Sequence, residues 1–338
     1  MTDTVTAAAA TVDYDAWVKT EDGRTVPQST ADSRIRDMLA MLDLRPGARV
    51  LEIGTGSGYS GALLSRIVGE TGRVVSIDID PLLVARAARL HTDAGHGNVE
   101  VYASDGFEGW NTGAPFDRIV GWTTPHVLPA AWVDQTALGG IIVTPVKIAD
   151  IACANVLIRC EIRDGIRSVD VRPGNFIEMA PEVVTELALP QRFVNASVVT
   201  EGAPPWWISA HELHDQPRAV AERLLDQAHI AVPRPDFLPV GRDKWQAFNA
   251  FVLAGTATPA SLGTSWGWGI GVGLVDSIAV ILPTGALLSA GTGEARDLLA
   301  ELVGDWYERG EPSHNALHAN FLEGPDGWTV RATLRDVS

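Results

Sequence analysis

Residues 49–67 read RVLEIGTGSGYSGALLSRI. Val50, Leu51 and Ile53 form a short, nearly continuous apolar run, the pattern of a strand buried on both faces. Gly54, Gly56 and Gly58 follow directly, and the apolar spacing then turns helical through Leu63, Leu64 and Ile67. A glycine turn in that position lets the backbone approach a ligand closely. The helix that follows points its first N–H groups and partial positive charge toward that ligand.

The same alternation continues on either side. Ile35, Met38, Leu39 and Leu42 predict a helix over 31–43, ended at Pro46-Gly47. RVVSIDI is a strand, and Asp80-Pro81 opens another helix, with Asp80 capping and Pro81 at the first helical position. NVEVYASD, FDRIVGW and GGIIVTPV are further strands. Strands that alternate with helices predict an α/β fold with a doubly wound, mostly parallel sheet.

After about residue 150 the pattern becomes α+β. A hairpin is expected to turn at Asp164-Gly165, with helices over 210–229 and 243–254. An amphipathic helix over 294–308 places Leu298, Leu299, Leu302, Val303 and Trp306 on one face, and a second hairpin closes the chain. Seven of the 11 tryptophans lie in this half, including PPWW (204–207) and WGWG (266–269). Their rings suit a core or a peptide platform. The expected layout is a loose tail over 1–19, a ligand-binding core over 20–150 with attached strands running to about 205, and a C-terminal α+β domain over 206–338 that selects the substrate.

Lys and Arg number 26 against 42 Asp and Glu, a net charge of −16. That field repels a phosphate backbone, and no basic run offsets it, so nucleic acid is a poor partner. No apolar run approaches the roughly 20 residues of a membrane helix. The N-terminus lacks the basic and apolar regions of a secretory signal. The two cysteines, Cys153 and Cys160, sit in one strand-like run and read as buried structural thiols, consistent with a reducing, cytoplasmic setting.

The ligand follows from spacing. G-x-G-x-G, with Glu52 two residues ahead, differs from the dinucleotide pattern G-x-G-x-x-G. Asp78 ends the next strand, where a carboxylate can accept both ribose hydroxyls. Asp105 follows the third strand, placed for an adenine amino group. This acid-rich rim suits S-adenosyl-L-methionine (AdoMet) and opposes a pyrophosphate. The expected AdoMet residues are Glu52, Gly54, Thr55, Gly56, Ser57, Gly58, Asp78, Ile79, Asp105 and Gly106, with no metal. For Glu52 a role at the methionine end and a role as structural anchor both stay open.

VLEIGTGSGY, APFDRIV (114–120), LPAAWVDQ (128–135) and GGIIVTPV (139–146) together resemble the protein-L-isoaspartate O-methyltransferase family, from about residue 20 to 147. The resemblance implies a class I methyltransferase sheet. It also implies AdoMet as donor, S-adenosyl-L-homocysteine as product, and esterification of an isoaspartyl carboxylate whose ester closes to a succinimide. The family's Ser-Gln-Pro-like triplet, with its hydroxyl at the methyl-transfer site, falls here on Thr30-Ala31-Asp32. Thr30, or the adjacent Ser29, is the implied catalytic hydroxyl; Thr30 can equally cap the following helix. Gln28, Thr123, Thr124 and Pro125 are expected to line the substrate cleft, with Arg24 a further contact, while His126 reads as a loop histidine.

Extended relatives of the family, some acting on ribosomally made, modified peptides, methylate a peptide Asp and form an aspartimide. The long extension here points to such a dedicated peptide. General isoaspartyl repair is the alternative, and a non-catalytic AdoMet- or peptide-binding module the alternative of another class. The expected partner is a peptide or protein carrying Asp or isoAsp, and the chain is expected to be a monomer. The chemistry asks for no general base, since a carboxylate with a pKa of roughly 4 is already ionised at neutral pH.

Overall fold

The computed structural model describes residues 2–27, 29–184, 189–238 and 241–335; Gln28 lies outside them. In chain order the first half carries α1 (Thr2–Ala9), α2 (Tyr14–Val18), α3 (Asp32–Met41), β1 (Arg49–Ile53), α4 (Tyr59–Val68), β2 (Arg73–Asp78) and α5 (Pro81–Asp93). β3 (Val99–Ala103), β4 (Phe116–Gly121), β5 (Leu128–Pro129), α6 (Ala130–Asp134), β6 (Thr136–Lys147), β7 (Asn155–Arg163) and β8 (Gly165–Pro173) follow. A seven-stranded sheet runs in the order β3-β2-β1-β4-β6-β7-β8. Its first five strands are parallel, and β7 and β8 turn back antiparallel around Asp164. The winding reverses between β1 and β4, the place where open α/β sheets hold their ligands at the carboxyl ends of the strands.

Local chemistry accounts for these elements. Val50, Leu51, Val74, Val75, Ile119 and Val120 are fully buried because helices cover both faces of the sheet. Asp80 caps α5 by accepting from Leu82 N at 2.8 Å, with Pro81 in the first turn.

The N-terminal segment departs from expectation. Residues 2–18, expected as a loose tail, form α1 and α2. Val5, Ala8 and Val12 are buried, with α1 against α3 and α4. Its apolar positions are few and small, which hides the amphipathic face in the sequence. Trp17 of α2 packs against His91 (4.8 Å between ring centroids) and stacks on His96 (5.7 Å). The Arg86 guanidinium donates to Trp17 O and Lys19 O at 2.7 and 2.8 Å and to Ser57 O at 3.0 Å, so one side chain ties this segment to the glycine turn.

The second half adds β9 (Ala196–Val198), β10 (Trp206–Ala210), α7 (Arg218–Ile230), α8 (Arg242–Gly255), β11 (Pro259–Thr264), β12 (Gly267–Gly273), β13 (Ser277–Ile281), β14 (Leu287–Gly291), α9 (Glu294–Glu308), β15 (Leu317–Gly324) and β16 (Gly327–Leu334). α7 starts later than expected, after Pro217, and Leu298 lies at the exposed edge of α9. β9 to β14 form a six-stranded antiparallel sheet in the order β14-β13-β12-β11-β10-β9. The two halves interlock. β16 pairs with β5 of the first half, and one continuous core includes Ile142, Trp132, Phe248 and Trp306. The loop before β7 is gripped by the second sheet: Ser209 Oγ accepts from Ala152 N at 2.9 Å and Ser261 Oγ donates to Ala152 O at 2.7 Å. Cys153 lies in that loop, outside any strand, with φ of 60°, whereas Cys160 is in β7. Both are free, and burial pushes both thiols up to about 12. Among the described residues no helix is long and apolar enough to cross a membrane.

Burial, with His96 adding to it, holds the His91 imidazole down at about 3. The folded chain excludes a proton that the unfolded chain binds below pH 6.5. The stability this group contributes is therefore complete above pH 6.5 and is lost as the pH falls toward 3. From pH 7.5 to 5.0 it costs about 2 kcal/mol. Urea melts at the two pH values are expected to show His91→Gln with a flatter pH slope than wild type; equal slopes would exclude His91 as the source.

Candidate functional site

The glycine turn sits at the carboxyl end of β1. Gly56 and Gly58 take φ of +51° and +83°, backbone that favours glycine. A Cβ on Gly58 would lie 3.1 Å from Ala87 Cβ and 3.2 Å from the Trp17 ring. That glycine is required by packing. A Cβ on Gly56 would meet nothing nearer than Gly54 O at 4.0 Å, so this side of the turn faces open space.

Beneath the turn lies Glu52, fully buried. Its carboxylate accepts from Ser76 Oγ at 2.7 Å and from Trp122 Nε1 at 3.0 Å, and Ser60 also hydrogen-bonds to it. Burial pushes this carboxyl up, against the pull of its three hydrogen bonds. Glu52 is thus the anchor of the turn. Thr55 Oγ1 joins the same network through Ser76 Oγ at 2.7 Å, and Ser57 Oγ accepts from Tyr59 N at 3.4 Å. Both side chains are buried, which leaves the backbone of Thr55 and Ser57 to face a ligand.

Asp78 Oδ2 accepts from Gly56 N at 2.8 Å and Oδ1 from Asp80 N at 3.0 Å, so it shapes the turn, and burial raises its pKa. Ile79 N–H also donates to this carboxylate, which leaves about one of its four lone-pair sites open. Asp105 Oδ1 accepts from Phe107 N at 2.9 Å at the end of β3. Ile79 and Gly106 flank these two carboxylates, half-buried. Two carboxylates at the rim oppose a phosphate and suit hydroxyl and amino donors.

Trp122 links this turn to a second space. A Cβ on Gly54 would lie 3.4 Å from Trp122 Cβ and 3.8 Å from Thr123 Cγ2. The Trp122 ring also lines a cleft of about 780 Å³ between the two halves. Ser29, Thr30 and Arg34 form one wall of this cleft, Phe176 part of its floor, and Arg242 and Trp268 the opposite wall. Thr30 does not cap α3: Ala31 holds that position, with no side-chain hydrogen bond. Thr30 O accepts from Tyr14 Oη at 3.2 Å, while Asp32 accepts from Tyr59 Oη and pairs with Arg36, both at 2.8 Å. These contacts hold the Thr30 segment against the start of α4. Ser29 Oγ donates to Val26 O at 2.8 Å.

The loop after β4 serves another purpose than expected. Thr124 is buried, its N–H and hydroxyl reach Ile177 O (2.7 Å) and Phe176 O (3.1 Å), and its carbonyl accepts from Met179 N at 2.8 Å. Pro125 is buried as well. Thr124 thus carries the 176–179 segment, neither residue lines the cleft, and Thr123 is the partly exposed member beside the turn. A buried ion pair, Lys147 Nζ to Glu178 at 3.0 Å, holds the same segment from β6. Arg24 pairs with Asp22 on the surface. His126 is half-buried against Phe107, and burial lowers its pKa. Among the described residues no group of three or more His, Cys, Asp or Glu could hold a metal.

Trp122, Arg34, Phe176 and Arg242 are cleft residues that the sequence did not single out, whereas Trp268 belongs to WGWG, read there as core or peptide platform. Trp122 carried a signal, since it directly follows β4 at the carboxyl edge. Arg242 opens a distant helix and carried none. Of the PPWW and WGWG rings, Trp206 and Trp207 are buried, Trp266 is 47% exposed, and Trp268 lines the cleft.

Sheet order, glycine turn and acidic rim together define a class I methyltransferase fold with an added C-terminal strand-rich half. A solved structure of a protein-L-isoaspartate O-methyltransferase aligns over 98% of this chain and 95% of its own, at 17% identity and a TM-score of 0.50, which extends the fold match through both halves. Residues 9–169 match the family Protein-L-isoaspartate(D-aspartate) O-methyltransferase (PCMT). The protein-L-isoaspartate O-methyltransferase of Methanococcus maripaludis (strain C5) is 43% identical over 109 residues, 32% of this chain and 51% of the relative. That of Desulfosudis oleivorans is 36% identical over 148 residues, 44% of this chain and 65% of the relative. The chain thus spans about half to two thirds of the length of these curated relatives.

Trp122→Phe removes the N–H that Glu52 accepts and leaves a buried carboxylate oxygen short of a donor. A loss of about 1–3 kcal/mol in urea denaturation is expected, with the fold retained by circular dichroism. An unchanged midpoint would remove the anchor role.

Proposed function

We propose that the chain transfers a methyl group from AdoMet to the side-chain carboxylate of an aspartyl or isoaspartyl residue in a peptide. The observation that carries this reading is the position of Trp122, against the glycine turn on one side and in the Thr30 cleft on the other. Donor and acceptor would meet across one indole.

The residues present fit AdoMet. The open side of Gly56 leaves room for it, and the spare lone pairs of Asp78 and Asp105 suit ribose hydroxyls and an adenine amino group. When bound, AdoMet supplies an electrophilic methyl group on a sulfonium. Thr30, and Arg34 beside it, would orient the acceptor carboxylate by donating to one oxygen and leaving the other to attack. As the new C–O bond forms, the methyl–sulfur bond breaks and its electron pair stays on sulfur. The two opposite charges cancel and no proton moves. Holding the reactants in line and excluding water can contribute roughly 7–11 kcal/mol. The ester then reacts with the backbone N–H of the next residue, methanol leaves with that proton, and a succinimide results.

The favoured substrate is a dedicated peptide held between the two halves, in keeping with a cleft whose far wall comes from the C-terminal half. General isoaspartyl repair is the second reading, favoured by the names of the curated relatives.

Incubation with AdoMet and an isoaspartyl peptide is expected to give mass changes of one added methylene or one lost water. Turnover of generic isoaspartyl peptides at low KM favours repair; turnover confined to a partner peptide favours the dedicated role. Thr30→Ala is expected to lower kcat by about 10- to 100-fold, and Thr30→Ser to restore it. Absence of methylated or dehydrated product with every peptide, despite AdoMet binding, would overturn the reading.

A further inference from the structure

The cleft between the two halves differs in charge from the rest of the molecule. The chain carries 16 more acidic than basic residues, yet among the described residues the charged side chains lining this cleft are two arginines, Arg34 and Arg242, and no carboxylate. They stand on walls from different halves. Arg34 lies in the first turn of α3, four residues after Thr30, and Arg242 opens α8.

Neither arginine forms an ion pair among the described residues, whereas the nearby Arg36 and Arg172 pair with Asp32 and Asp170. Arg34 makes a long hydrogen bond to Pro173 O at 3.4 Å. The nearest acidic neighbours in sequence are turned elsewhere. Asp32 is taken by Arg36 and Tyr59, and Asp243 does not line the cleft. In a chain this acidic, two unpaired guanidinium groups facing one space mark a place where anionic groups gather.

The occupant is larger than one carboxylate. The cleft holds about 780 Å³, with Trp122, Phe176 and Trp268 also in its lining. A small annex of about 50 Å³ shares Asn175, Gln246 and Trp268 with it. The side-chain oxygens of Asn155 and Asn249 in this annex are buried and have no partner. Asn249 itself is 5% exposed. A buried amide oxygen without a donor costs about 1–3 kcal/mol. An extended peptide, with N–H groups along its length, can supply such donors.

We infer that this cleft selects an acidic peptide segment: besides the carboxylate to be methylated, the substrate carries a further Asp or Glu that Arg242 takes while Arg34 attends the acceptor. This rests on the peptide-carboxylate reading above for the identity of the acceptor, but the charge preference can be measured by binding alone.

Fluorescein-labelled peptides with one Asp acceptor, flanked either by Asp and Glu or by Asn and Gln, are titrated with the full chain and followed by anisotropy. The acidic peptide is expected to bind about tenfold tighter at low salt. The preference should shrink as salt rises from about 0.05 to 0.3 M. Arg242→Gln is expected to reduce it below about threefold. Arg223→Gln removes the same charge from α7, away from the cleft, and should leave the preference intact. Equal affinity for the two peptides in wild type, or a preference that survives both Arg34→Gln and Arg242→Gln, overturns the inference. Acidic-peptide binding without any methylation would keep this inference and remove the methyltransferase reading. Methylation of both peptides with the same KM would do the reverse.

Discussion

A carboxylate with no access to water holds the centre of this molecule together. Glu52 comes from β1, Ser76 from β2, Ser60 from α4, and Trp122 from the end of β4. Burying an ionisable group among apolar strands is costly unless its lone pairs are met, and here three donors from three other elements meet them. The network therefore locks the glycine turn onto the sheet at the point where the winding reverses. It also fixes the indole that separates the turn from the cleft. A shift in any of the four residues moves both spaces together.

The cleft depends equally on the second half. Its far wall is built from α8 and the β12 region, and its floor from the 174–179 segment that Thr124 and Lys147 hold down. These contacts, with the gripping of Ala152 by Ser209 and Ser261, make the C-terminal half part of the same body as the sheet. The first sheet runs to Pro173, through strands attached beyond residue 150, and the second sheet begins at Ala196.

Much of the first half was legible because its signals are local. Apolar strands alternating with amphipathic helices give a parallel sheet, a strand running straight into glycines gives the turn, and Asp80-Pro81 gives a helix start. The docking of α1 was not legible, since Val5, Ala8 and Val12 offer too small an apolar face to stand out from an alanine-rich tail. Thr124 shares the hydroxyl and the sheet edge that made it a substrate candidate, but only tertiary pairing with residues 176–179 reveals its real task. The resemblance that drew attention to Thr30 could not bring Arg242 into the same cleft. More than two hundred residues separate the two, and nothing in sequence brings α8 to α3.

The pairing of β16 with β5 sets an order of events during synthesis. Leu128 and Pro129 find their strand partners, Trp328 and Gly327, about 200 residues later. Contacts of such long separation form slowly and late. A ribosome releasing this chain from its N-terminus completes the strands that carry the glycine turn well before the strand that closes over Leu128 has emerged. The glycine turn can be in place on the growing chain before the wall facing Thr30 has been made.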